Sequence, residues 1–324
     1  MTTLAAPEVL TRCRELVRPA LQEAVGDLHP WVREMAAYSF GWCEVGGAPA
    51  AASGGKGVRQ ALAVLGAEAA GAPARAGVPA AVAVELVHVF SLLHDDIMDG
   101  DPARRGRATV WKAYGTGPAV LAGDALFALA VARVADSGAG AVRLLSAALL
   151  DLVRGQADDL LFATRPWRGP ERVRPQEYRV MAEGKTGALL GCAAALGALL
   201  GGAPPAEVAA LDRAGRHLGV AFQIVDDVLG IWGDPLVTGK PVHGDLRERK
   251  KTFPVLAALD APTPAAARLA RLLETDGAPR EVAALVEECG GRSAALAEAR
   301  RHLAYAEPVE ALRPLLDHLL LREV

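Results

Sequence analysis

The sequence predicts an all-α protein, and three observations carry that prediction. Leu, Ala, Arg and Glu dominate, and all four favour helix. Apolar residues recur at spacings of three and four, as in VRLLSAALLDLVRG at 142–155. β-branched runs are short, so nothing reads as a set of strands.

Taken in order, the elements are separated by Gly- and Pro-rich punctuation at GGAPAAASGGKG (46–57), AGAPARAGVP (70–79), RPWRGPERVRP (165–175), GGAPP (201–205) and DAPTP (260–264). These breaks give about ten helices. Segments 80–94 and 187–200 are apolar almost all round, which suits helices surrounded by other helices. The run GALLGCAAALGALLGGAPP at 187–205 approaches the length of a bilayer span, but its Gly and Ala content fits a closely packed buried helix, and no membrane span is expected. No fixed-period repeat and no long linker divides the chain. One domain over 1–324 is expected, with its motif-bearing core at about 50–260.

Composition excludes several functions. With 52% apolar and 23% charged residues the 324-residue chain is globular, and a net charge of −3 leaves no basic field for nucleic acid or an anionic membrane. Any anion site must therefore be local. No basic region followed by an apolar core opens the N-terminus, so no secretory signal is expected. Cysteines at 13, 43, 192 and 289 form no CxxC pair, which suits a reducing cytoplasm and neither disulfides nor structural zinc.

The chemistry is concentrated in LLHDDIMDGDPARRG at 92–106. On an ideal helix Asp95 and Asp99 lie about 40° apart and Asp96 about 100° from Asp95, so three carboxylates are expected to converge at one helix end. Carboxylates clustered in an apolar setting repel one another, and burial raises their pKa unless a cation is present. Mg²⁺, which takes a few carboxylate oxygens and fills its shell with water and phosphate, answers both difficulties. A second acidic pair, Asp226 and Asp227, ends the apolar stretch of AFQIVDDVLGIWGDP (221–235) and is trailed by Lys240, Lys250 and Lys251. A lone DDxxD is also what a solvated helix end looks like. Two such segments, each trailed by Lys or Arg, point instead to metal and polyphosphate. Asp158 and Asp159 in RGQADDLLF have no basic trail and read as helix surface.

These motifs, in this order, resemble the trans-isoprenyl diphosphate synthase (polyprenyl synthetase) family. Asp95, Asp96 and Asp99 match its first aspartate motif, and Arg104 and Arg105 its arginine pair. GGKGVRQ at 54–60 is similar to GGKRxRP, VELVHVFSLLHDD supplies His88, GKTGALLG supplies Lys185 and Thr186, and FQIVDD supplies Gln223 with the second motif. GKPVHGDLRERKKTFP adds Lys240 and Lys250. The resemblance implies a single large helical bundle around a central cavity and a prenyltransferase, most like a geranylgeranyl diphosphate synthase. Its partners would be isopentenyl diphosphate and the allylic dimethylallyl, geranyl and farnesyl diphosphates, in a cytoplasmic homodimer.

The resemblance also implies roles. Asp95, Asp99 and Asp226 would hold three Mg²⁺ on the departing allylic diphosphate, with Asp96 and Asp227 completing or orienting the shells. Arg104, Lys185, Thr186, Gln223, Lys240 and Lys250 would grip that diphosphate. Lys56, Arg59, His88 and Arg105 would hold isopentenyl diphosphate, which must not ionise. Phe90 and Ser91, five and four residues before Asp95, would set chain length, and an aromatic followed by a small residue resembles the C20 pattern, with farnesyl (C15) as competitor.

Departures keep other readings open. Gly57 and Gln60 replace the Arg and Pro of GGKRxRP, Gly230 stands where the second motif carries its third Asp, and His243-Gly244 precedes Asp245. A terpene cyclase on the same fold would need no isopentenyl diphosphate site, yet Lys56, Arg59, His88 and Arg105 are all present. A non-catalytic subunit of a heteromeric synthase would be expected to lose first-motif aspartates, which this chain keeps.

Overall fold

The computed structural model describes residues 6–50, 57–234, 242–275, 277–306 and 312. Lys56 and Lys240, two of the expected phosphate ligands, lie outside the described residues. Helix makes up 77% of the described residues, as an all-α protein requires. Two compact units can be distinguished, Met1–Ala147 with Cys192–Asp212, and Ala148–Gly191 with Arg213–Val324.

The first unit holds α1 (Ala6–Gly26), α2 (Pro30–Ser39), α3 (Val58–Ala69), α4 (Val78–Met98), α5 (Val110–Tyr114) and α6 (Thr116–Ala135). Within it α4 packs against α1, α3 and α6, which is why its sequence, Glu85 and His88 apart, is almost wholly apolar until its last turns. The stretch Ala74–Met98 and helix α6 are each long and apolar enough to cross a membrane; 61% of the most apolar window of the former is buried inside the protein, as a core helix demands. One feature escapes the all-α reading. Ala103–Arg104 (β1) and Arg107–Ala108 (β2) pair antiparallel, with Ala103 opposite Ala108 and Arg104 opposite Arg107. Arg105 and Gly106 between them have φ of 52° and 76°, the double left-handed turn that matches the twist of a two-residue hairpin.

Unit boundaries fall inside α7 (Ala139–Thr164), α9 (Ala188–Leu200) and α10 (Pro205–Trp232). Helix α9, from the apolar run at 187–205, is 13 residues long and largely buried, too short to span a bilayer. In the second unit α8 (Pro175–Ala182) runs into a π-helical turn at Glu183–Gly187. Helices Phe253–Asp260, Pro264–Glu274, Pro279–Glu288 and Gly291–Ala306 follow. Their apolar faces meet in a core that includes Trp167, Ile231, Val255, Leu269 and Val286.

A polar cluster ties the last of these helices to α10. His217 Nδ1 and His302 Nδ1 are 3.0 Å apart, His302 Nε2 is 3.3 Å from Glu298, and Arg179 donates to Glu298 at 2.5 Å, with Arg301 on the same carboxylate. Burial lowers the pKa of both imidazoles, and for His302 the neighbouring His217 adds to the effect. The unfolded chain therefore takes up protons first as pH falls through about 6.5, and stability is lost from there downward. Calorimetry at pH 7.5 and 5.5 should give a Tm drop that shrinks in His302→Gln. An equal drop in both proteins would remove these imidazoles from the account.

Candidate active site

The end of α4 is built to display carboxylates. Gly100 N–H bonds Ile97 O at 3.3 Å and Asp101 N–H bonds Asp96 O at 2.9 Å, closing the helix in a Schellman motif just after Asp99. Asp95, Asp96 and Asp99 thus crowd the last turn, where the macrodipole already disfavours negative charge. The sequence accepts an electrostatic cost there that a cation would offset.

The hairpin then folds back on this turn. Arg104 donates to Asp96 Oδ1 from Nε at 2.8 Å and Nη2 at 2.7 Å. Burial pushes the Asp96 carboxyl pKa up, and the Arg104 guanidinium opposes that rise. Asp96 is thus buried and paired with Arg104, whose side chain stays 37% exposed and so open to a ligand. The hairpin itself is anchored by Arg107, which donates to Tyr38 O at 3.1 Å and Cys43 O at 2.7 Å, and by Tyr38 Oη on Ala108 O at 2.7 Å.

Among the described residues no three carboxylate, thiol or imidazole side chains come close enough to hold an ion unaided. Asp95 and Asp99, four residues apart with oxygen donors only, fit a hard cation that keeps water and completes its shell from phosphate, as Mg²⁺ does.

Two cavities open on this unit. One, of ≈ 130 Å³, lies between Asp96, Arg104 and the apolar wall of Val89, Leu92 and Leu93. The other, of ≈ 190 Å³, is lined by His88 and Arg105 together with Glu85, Gln60 and residues of α1. Neighbouring side chains of the hairpin thus serve different cavities: Arg104 lines only the first, while Arg105 reaches both. His88 has its pKa lowered well below the usual imidazole value, by burial first and then by Arg59, Arg105 and Arg104, so its ring is neutral. Burial raises the Glu85 carboxyl pKa, against the pull of Arg59. Phe90 turns away from both cavities. Its ring packs edge-on to His94 at 4.8 Å and against Phe127 of α6 at 5.4 Å, while Ser91 Oγ bonds back to His88 O at 2.8 Å.

The second unit assembles its own group. Thr186, in the π-helical turn, donates to Gln223 Oε1 at 2.8 Å, and Gln223 Nε2 donates to Asp227 Oδ1 at 3.2 Å. Asp227 Oδ2 accepts from Tyr178 Oη at 2.5 Å and from the Phe253 N–H at 2.9 Å. Its pKa is nevertheless pushed up to about 7, by burial and then by the nearby Asp245 carboxylate. Asp226, the preceding residue, is half-buried. Lys185 pairs with Asp159 at 2.5 Å and Lys250 with Glu248 at 2.7 Å.

Asp159, read as helix surface, is part-exposed and is the partner of Lys185. The missing third aspartate at Gly230 has a physical reason. A Cβ at that position would sit 2.5 Å from Asp245 Cγ and 3.0 Å from Asp245 Oδ1, so a buried carboxylate from the following segment already fills the space. Tyr178 and Asp245 belong to this group, and no motif pointed to either role.

The polyprenyl synthetase family model matches residues 48–289. A (2E,6E)-farnesyl diphosphate synthase of Mycobacterium tuberculosis is 45% identical over 315 residues, covering 94% of this chain and 86% of that protein. A geranylgeranyl diphosphate synthase of the same species is 44% identical over 317 residues, covering 94% and 89%. The crystal structure of a polyprenyl synthetase from Streptomyces coelicolor A3(2) superimposes with a TM-score of 0.89 at 46% identity, over 96% of this chain and 98% of that one. Likeness of this extent places the chain in the polyprenyl synthetase family, as a prenyltransferase acting on isoprenyl diphosphates.

Proposed function

We propose that the enzyme condenses isopentenyl diphosphate with dimethylallyl, geranyl and farnesyl diphosphates and stops at geranylgeranyl diphosphate (C20). The observation that carries a two-substrate reading is the hairpin, which turns Arg104 to Asp96 while the adjacent Arg105, bordering both cavities, also reaches the one beside His88. Two diphosphates of opposite fate, one leaving and one staying attached, need two such sites.

Asp95 and Asp99, and Asp226 in the second unit, would hold Mg²⁺, three ions per site, which supplies Lewis-acid stabilisation of the departing diphosphate. Asp96 and Asp227 act as positioning residues, each fixed by hydrogen bonds to its own neighbours. Arg104, Lys185, Thr186, Gln223, Lys240 and Lys250 bind the allylic diphosphate, and Lys56, Arg59, His88 and Arg105 bind isopentenyl diphosphate. Fixed donors aimed at developing charge are worth about 3–4 kcal/mol each in comparable anion holes. Val89, Leu92 and Leu93 keep water from the carbocation. The released diphosphate removes the proton that ends each cycle. The same reading makes the protein a cytoplasmic homodimer, to which the exposed Val120, Leu121 and Phe127 of α6 offer an apolar face.

A C15 product is the second reading, since a farnesyl and a geranylgeranyl synthase are almost equally similar. Incubation with Mg²⁺, isopentenyl diphosphate and each of the C5, C10 and C15 allylic diphosphates tests both. A linear C20 diphosphate from all three is expected; accumulation of C15 supports the farnesyl reading, a cyclic hydrocarbon from one substrate a cyclase, and no turnover a non-catalytic subunit. Phe90→Ala removes the ring between His94 and Phe127 and is expected to lengthen the product beyond C20. Unchanged chain length on chromatography would take Phe90 out of the argument.

A further inference from the structure

We propose that Arg14 and Arg18 of α1 are diphosphate-binding residues of the isopentenyl diphosphate pocket, and that Arg14 supplies the charge that Gly57 leaves out. The proposal rests on the two-substrate reading above and adds residues that no motif contains.

Three arginines lie within seven residues on α1, and they have different fates. Arg12 is committed to Glu68 through two hydrogen bonds, Nη1 to Oε1 at 2.6 Å and Nη2 to Oε2 at 2.8 Å. Arg14 and Arg18, four residues apart and so on one helix face, line the ≈ 190 Å³ cavity with Gln60, Glu85, His88 and Arg105. Among the described residues no carboxylate forms an ion pair with either of them.

Gly57 explains the opening. It stands where the resembled motif carries an arginine, it adopts a left-handed φ of 72°, and a Cβ built on it would lie 3.9 Å from Arg14 Cβ. The side chain absent at position 57 therefore borders the one that α1 brings in. With His88 neutral, the fixed positive charges lining this cavity are Arg14, Arg18 and Arg105, against the single buried carboxyl of Glu85. Three guanidinium forks around one small polar cavity suit a group with several anionic oxygens, which a diphosphate end provides.

The test is steady-state kinetics on the full chain with Arg14→Gln, Arg18→Gln and Arg14→Lys, varying each substrate separately. KM for isopentenyl diphosphate should rise about tenfold or more in each Gln variant, with less loss in Arg14→Lys. KM for the allylic substrate and kcat at saturation should stay within about twofold of wild type. Unchanged KM for isopentenyl diphosphate in both Gln variants, or an equal rise for both substrates, would overturn the assignment. Calorimetric titration with inorganic diphosphate in metal-free buffer separates this from the parent reading. If wild type turns nothing over yet binds diphosphate, and Arg14→Gln binds it at least tenfold more weakly, prenyl transfer falls and the pocket stands. If wild type turns over and the Gln variants match it in both assays, the pocket falls and prenyl transfer stands.

Discussion

Asp95→Ala is expected to lower prenyl transfer by about 10³-fold or more while leaving the helical fold intact. Lewis-acid stabilisation of a leaving diphosphate is worth several kcal/mol, and each 1.36 kcal/mol is tenfold in rate. The effect on stability should run the other way. Asp95 adds negative charge to the C-terminal turn of α4, beside Asp96 and Asp99, so in metal-free buffer the alanine variant should melt at or above the wild-type temperature. Mg²⁺ should raise the Tm of wild type, because it binds the folded state, and raise that of the variant less. Wild-type turnover in Asp95→Ala, with an undiminished Mg²⁺ shift, would remove Asp95 from the metal site.

Gly230→Asp is expected to damage the protein although it restores the motif. The new Cβ would be 2.5 Å from Asp245 Cγ, far inside contact distance, and the added carboxylate would enter a buried group that already holds Asp227 and Asp245. Overpacking and an unpaired buried charge together should cost about 3 kcal/mol or more. A lower urea midpoint measures that loss. The double variant Gly230→Asp/Asp245→Gly exchanges the two positions and should recover part of the midpoint. If the single variant is as stable as wild type, Asp245 does not fill that space.

These two cases mark how far the sequence could be read. That Asp95 and Asp99 share one helix end was legible from their spacing, and Thr186, Gln223 and Asp227, singled out by their order along the chain, do meet in one hydrogen-bonded group. The helical class was legible because periodicity reports one-dimensional packing faces. What could not be read depends on contacts between distant segments. Asp245 enters the space at Gly230 from a later segment, Tyr178 reaches Asp227 across 49 positions, and Arg14 meets Gly57 from another helix. Strands two residues long leave no alternation to detect, so the hairpin was invisible. The pairing of Asp159 with Lys185 could not be read for a related reason, since the two lie 26 positions apart on different helical segments.

The hairpin also separates what is fixed from what can move. A two-residue turn has no slack, and the pairing of Arg104 with Arg107 fixes the strands on either side of it. The Cα atoms of Arg104 and Arg105 are thereby anchored, while each guanidinium rotates about its own side-chain torsions, so a ligand can draw either one without the backbone having to move.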